Sequence, residues 1–182
     1  MKPFVRPTLA ATALLALLVG CSALAPRASG ERAGAAVGLR DGARSVDELM
    51  QDLVLAIREN DADALRRLRV SEDEYRRVIL PGSVAPSEPP RQYAADFEDY
   101  LWGSLDVKNR HGERDMLMQW GGRTLSVEKT SFRKGERAYR GYTAHSLLDL
   151  TLRDDRGAEV QFEMGSVAQV GDRYKFISFM RD

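Results

Sequence analysis

The spacing of apolar residues changes once along this 182-residue chain, and that change limits the folds it can adopt. In residues 46–120, apolar side chains recur every three or four positions, the spacing of amphipathic helices. From Arg123 onward they recur at every second position, which is typical of strands with one buried face. Helices followed by strands predict an α+β domain, because an α/β sheet would need the two kinds of element to alternate.

Turn residues divide the second half of the chain into four predicted strands. The strands are 123–132, 138–152, 158–170 and 173–180, and the turns between them lie at 134–135, 154–157 and 171–172. Short turns join antiparallel neighbours. We therefore expect N-terminal helices packed on a four-stranded antiparallel meander.

Two capping boxes mark where predicted helices begin, one from Ser45 to Glu48 and one from Ser71 to Glu74. Apolar positions predict a further helix that carries Tyr93 to Leu105, with another turn or two near Trp120. The charged residues at 66–74 are interpreted as a solvated face with local ion pairs.

The first residues have the pattern of an export signal. Lys2 and Arg6 precede an apolar run from Thr8 to Val19, which is too short to span a bilayer as a helix. Leu18-Val19-Gly20-Cys21 ends the run. Cys21 is the single cysteine of the chain, so it cannot form an internal disulfide and its position needs another explanation.

Leu18-Val19-Gly20-Cys21 resembles the lipobox of bacterial lipoprotein precursors. The resemblance implies that residues 1–20 are a signal peptide, and that Cys21 carries acyl chains, such as palmitate, that bind a membrane. Two or more chains give stable anchoring, whereas one gives reversible binding. In a Gram-negative host, Ser22 implies an outer-membrane address. An ordinary secretory signal or a buried N-terminal helix remains the alternative.

The rest of the chain divides into a tether and one domain. Residues 21–44 are rich in Ala, Gly, Arg and Ser without apolar periodicity, so they predict a lipidated cysteine followed by a disordered tether. Residues 45–182 are long enough for a single α+β domain. Its element order resembles the nuclear-transport-factor-2-like (cystatin-like) roll. Gly165-Ser166-Val167 and the end from Gly171 to Asp182 resemble a group of uncharacterised bacterial lipoproteins.

Several kinds of chemistry are not indicated. The chain has no G-x-S-x-G elbow, Walker A loop or dinucleotide fingerprint. His111-Gly112-Glu113 matches half of a zinc-deaminase signature, but the cysteine pair is missing. We therefore expect no catalytic constellation, no metal and no cofactor. Basic and acidic residues number 27 each, so no basic surface for nucleic acid is indicated.

A pocket at the open end of a roll would be lined by aromatic residues and one histidine. The candidates are Tyr75, Trp102, Trp120, Tyr142 and His145. The alternative is that these rings form the core. His145 and Asp149 would share a face of a regular strand, about 13 Å apart, which is too far for a catalytic dyad.

These observations favour a non-catalytic envelope lipoprotein whose folded part binds a protein, lipid or small ligand, or serves as a structural spacer. An alternative function comes from the roll resemblance alone: a small-molecule isomerase or dehydratase that uses Asp, His or Tyr in the cone. His145, Asp149 and a tyrosine would then be the group to examine.

Overall fold

The computed structural model describes residues 38–181, which form helices followed by strands, so the predicted α+β class is confirmed. The helices are α1 (Val46–Glu59), α2 (Ala62–Arg67), α3 (Glu72–Glu74), α4 (Leu80–Gly82) and α5 (Ala95–Trp120), with a π-helical segment (Tyr75–Ile79) between α3 and α4. Both predicted N-caps are present: Ser45 accepts the amide of Glu48, and Ser71 forms a full capping box with Glu74.

The strands form two antiparallel sheets. They are β1 (Leu125–Phe132), β2 (Glu136–Ala138), β3 (Thr143–His145), β4 (Leu148–Asp154), β5 (Glu159–Glu163), β6 (Val167–Val170) and β7 (Arg173–Phe176). One sheet has the order β1-β4-β5 and the other the order β2-β3-β6-β7. Every pair within these sheets is antiparallel, as the short turns predicted.

A bend separates the two sheets and divides two of the four predicted strands, 138–152 and 158–170, so the prediction of a single four-stranded meander was wrong. Leu147, between β3 and β4, has a left-handed φ of 58°, which ends the regular strand predicted over 138–152. The predicted turn at 134–135 is part of this bend, with Gly135 at φ 65°. The hairpin turn lies later, where the amide of Tyr139 donates to the carbonyl of Tyr142 at 2.8 Å.

Gly165 lies at the same bend and meets the C-terminal segment. A Cβ atom there would lie 2.6 Å from the carbonyl oxygens of both Ser178 and Met180. Any side chain would therefore force two backbone segments apart. This close approach gives a structural reason for a glycine in the Gly165-Ser166-Val167 sequence.

The main core lies between α1 and the strands. Leucines at 148, 150 and 152 of β4 are fully buried, and so are Leu49, Leu53 and Ile57 of α1. Strands β4 and β5 alternate buried and less buried positions, as a sheet with one covered face requires. A second, smaller cluster lies under the π-helical segment and includes Val78, Ile79 and Tyr142.

The packed region begins before the predicted boundary at residue 45. Leu39 is buried in the smaller cluster, and the amide of Arg40 donates to Glu74. Ala43 forms a β-bridge with Tyr174 of β7. Residues 39–43 are therefore held against the domain, whereas residues 1–37, with the signal and lipidation predictions, lie outside the described part of the chain.

Helix α5 is one continuous helix of 26 residues, where the sequence predicted two shorter pieces. Its two buried side chains are both polar, Asn109 and Glu113. Asp106 packs on the same side, against Arg69. The apolar periodicity is interrupted over these turns, because the side of the helix that packs against the domain carries polar residues.

Candidate functional site

A groove between α5 and the four-stranded sheet is the cavity closest to the predicted pocket. Its volume is about 360 Å³. Most of its polar lining consists of hydroxyl groups. It is lined by Ser104, Leu105, Lys108, Tyr139, Tyr142, Ala144, Ser146, Ser166, Ile177 and Ser178, and is called the hydroxyl groove below. The sheet bend places Ser146 and Ser166 in its wall, one residue before Leu147 and one after Gly165.

The hydroxyl of Tyr142 has a fixed direction. The Oγ atom of Ser83 donates to the carbonyl of Ile79 at 2.6 Å, so its proton is already committed. The Tyr142 hydroxyl, 2.9 Å from Ser83 Oγ, must therefore donate to it. Burial raises the pKa of Tyr142, so the phenol stays protonated at neutral pH. Its ring stacks on Tyr139, with centroids 4.9 Å apart.

The groove is suited to hold a polar ligand by hydrogen bonds. Ser178 is already engaged, because its Oγ donates to the carbonyl of Met180 at 2.8 Å. The lining residues include a lysine and several hydroxyls, but neither a carboxylate nor an imidazole. Lys108, Tyr139 and Tyr142 are the titratable side chains of its lining.

His145 is not part of the groove. It is buried on the opposite face of β3 from Ala144, which lines the groove. Its Nε2 lies 3.0 Å from Gln169 Oε1, and its Nδ1 lies 3.3 Å from a carboxylate oxygen of Glu136. Both ring nitrogens thus have partners within the sheet, which is the arrangement of a structural histidine.

Asp149 lies beyond the bend, in β4 of the other sheet. Its carboxylate accepts from Arg133, with distances of 2.6 and 3.0 Å. The prediction that His145 and Asp149 share one face of a regular strand was therefore wrong, because the left-handed turn at Leu147 interrupts the strand between them.

The predicted aromatic residues lie in different places. Tyr75 packs on Trp102, with ring centroids 5.6 Å apart, beside the π-helical segment. Trp120, at the other end of α5, packs on Phe162 of the main core. Tyr142 alone among the five candidates lines the hydroxyl groove. The structure therefore does not bring the predicted set together into one pocket.

Sequence reasoning missed a buried charge cluster between α2 and α5. Arg69 is 5% exposed, and its Nη2 donates to Asp106 at 2.7 Å. Its Nε lies 2.8 Å from Glu113 Oε1, but the N–H is misaligned for a hydrogen bond, and its Nη1 has no partner among the described residues. The prediction of a solvated face was therefore wrong for Arg69, and also for Glu74, which is 2% exposed and pairs with Lys175.

Glu113 lies at the edge of a second cavity, of about 530 Å³. Burial raises the pKa of Glu113, while the neighbouring Arg69 and Arg66 act in the opposite direction. The other charged residues of this cavity are Arg66, Arg110 and Arg114, which pair with Asp63, Asp106 and Asp115 respectively. Because these cations are neutralised locally, the cavity offers little net charge for an anion.

Comparison with known proteins gives no relative for this chain: no family model, no curated protein and no solved structure matches it. Within residues 38–181, no helix is both long and apolar enough to cross a bilayer. In the same part of the chain, no three His, Cys, Asp or Glu side chains are placed to hold one metal ion.

Proposed function

We propose that the chain is the precursor of a bacterial envelope lipoprotein, anchored in the outer membrane by acyl chains on Cys21. The observation that carries the proposal is the order of basic residues, short apolar run and Leu18-Val19-Gly20-Cys21 at the start of the chain. Ser22 supports the outer-membrane address. The first described residue, Gly38, leaves 16 intervening residues to connect Cys21 to the folded part.

Mass spectrometry of the protein from the membrane fraction of its host tests the anchor. We expect the chain to begin at Cys21, with a diacylglyceryl thioether on its sulfur and a mass increase from the acyl chains. A Cys21→Ser variant should lose this mass and leave the membrane fraction. Retention of Met1, or an unmodified Cys21 thiol in the membrane-bound protein, would contradict the proposal.

For the folded part we propose a non-catalytic binding module that uses the hydroxyl groove. Support comes from the groove's hydroxyl lining and from the separation of His145 from Asp149, which leaves the isomerase or dehydratase alternative without a catalytic pair. The long helix against a bent antiparallel sheet is also compatible with the nuclear-transport-factor-2-like roll. We retain that roll as a proposal for the fold.

A matched pair of serine variants tests the groove as a binding surface. Ser146→Phe fills part of the groove, and Ser131→Phe adds the same ring to an exposed position on β1 outside it. Tagged wild-type protein and the Ser131→Phe variant should recover the same partner from an envelope extract, and Ser146→Phe should recover at least tenfold less. Circular dichroism must show that both variants are folded. Equal recovery by all three proteins would remove the groove from the proposal.

A further inference from the structure

The groups of the hydroxyl groove that are available to a ligand are uncharged. Four of its hydroxyls make no hydrogen bond to any other residue between 38 and 181, those of Ser104, Tyr139, Ser146 and Ser166. The one charged residue of the lining, Lys108, already interacts within the chain. The groove therefore offers neutral hydroxyls, each of which can donate one hydrogen bond and accept others.

This lining disfavours three common classes of ligand. An ammonium group would find no counter-ion, since none of the described lining residues carries a carboxylate. An anion such as phosphate would compete with the interaction that Lys108 already makes. A flat aromatic ligand would find no open ring, because Tyr139 is covered on one face by Tyr142 and on the other by the guanidinium of Arg137, whose carbon lies 4.9 Å from the ring centroid.

We propose that the hydroxyl groove binds a neutral carbohydrate. This inference rests on the proposed function of the groove as a binding surface, and it adds the class of ligand. A sugar carries hydroxyls that both donate and accept, as the serines of the groove do. Its C–H groups can pack on the apolar part of the lining, which consists of Leu105, Ala144 and Ile177. The volume of about 360 Å³ suits about one or two sugar rings.

Two of the serines are held in place by the backbone on either side of the bend. The amide of Ser146 donates to the carbonyl of Gly135 at 3.0 Å, and the carbonyl of Ser166 accepts the amide of Ile177 at 2.8 Å. A site that is fixed in advance loses less entropy when the ligand binds. Because no open aromatic face adds stacking, we expect a Kd of about 1 mM for a small sugar.

An array of neutral oligosaccharides tests the proposal on the full chain in detergent. The array covers hexoses, N-acetylhexosamines and deoxyhexoses, and titration in solution then gives the Kd of each sugar that binds. We expect at least one of them to bind. Ser146→Phe, which fills part of the groove, should weaken that binding at least tenfold, whereas Ser131→Phe on β1 should leave it unchanged.

A second pair of variants covers the case in which Ser146→Phe does not fold. Ser166→Ala removes one hydroxyl from the groove and should weaken sugar binding by about 2- to 10-fold, the effect of one net hydrogen bond. Ser131→Ala is its control and should have no effect.

The salt dependence distinguishes a neutral ligand from a charged one. Raising the NaCl concentration from about 0.05 to about 0.5 M should change the affinity less than about twofold, because no ion pair is formed with the ligand. Inorganic phosphate should not compete with the sugar. Failure of every neutral oligosaccharide to bind, competition by phosphate, or equal binding by Ser146→Phe and Ser131→Phe would overturn the proposal. If Ser146→Phe still lost a protein partner from the envelope extract, the groove would remain a binding surface whose ligand is not a carbohydrate.

Discussion

Replacing Glu74 with alanine is expected to lower the free energy of unfolding by about 3–5 kcal/mol, the cost of leaving a buried charge without its partner. Glu74 and Lys175 are both buried, and Lys175 Nζ lies 3.1 and 3.2 Å from the two carboxylate oxygens. The same carboxylate accepts the backbone amides of Arg40 and Ser71. One side chain thus joins the N-terminal segment, α3 and β7.

Urea denaturation of paired variants measures this effect. Glu72→Ala is the matched control: it lies on the same short helix, but its ion pair with Arg76 is exposed, so a loss of under about 1 kcal/mol is expected. If Glu74→Ala fails to fold, Glu74→Gln keeps the shape and removes the charge. The double variant Glu74→Met with Lys175→Met should recover most of the stability. A loss for Glu74→Ala no larger than that for Glu72→Ala would contradict this account.

The order of elements could be predicted from the sequence because burial of apolar side chains determines it. Leu148, Leu150 and Leu152 alternate along one strand, and they are fully buried in the structure. The Ser71 capping box could be found for a similar reason, since both of its partners lie within four residues. Interactions between residues that are close in sequence can be recognised from a short sequence motif.

The bend could not be predicted from the same pattern. Residues 138–152 keep their alternation through Leu147, and a leucine gives no indication that its backbone will be left-handed. The position of His145 relative to Asp149 depended entirely on this residue. The prediction of one aromatic pocket was wrong for a related reason. Aromatic residues spaced along a helix can pack against different neighbours, as Trp102 and Trp120 do at the two ends of α5.

The polar residues of α5 explain why the sequence predicted two shorter helices in place of one. Asp106, Asn109 and Glu113 fall on one face at spacings of three and four, as a buried stripe would. Because these residues are polar, the sequence predicted a break between two helices at this point. The groups that form hydrogen bonds and ion pairs with them lie far away in the sequence. Arg69 and the C-terminal segment provide those partners. Long-range polar contacts of this kind leave no periodic signal in either segment.

Asn109 is the second residue whose replacement should strongly lower the free energy of unfolding, because it is buried and hydrogen-bonded. Its Nδ2 donates to the carbonyl of Ile177 at 3.0 Å, and its Oδ1 accepts the amide of Phe179 at 2.9 Å. Asn109→Leu has a side chain of similar size but no hydrogen-bonding group, so both backbone groups would lose their partner. A buried polar group without a partner costs about 1–3 kcal/mol. We therefore expect Asn109→Leu to lower the free energy of unfolding by about 2–5 kcal/mol.

Hydrogen exchange distinguishes this cause from a general loss of packing. In Asn109→Leu the amide of Phe179 should exchange faster than in the unsubstituted chain, by more than amides of α1 such as that of Leu53. Gln119→Leu, an exposed change of the same kind on α5, should alter stability by no more than about 0.5 kcal/mol. If Asn109→Leu were as stable as Gln119→Leu, the C-terminal segment would be held by its apolar contacts alone, and Asn109 would have no part in fixing it to α5.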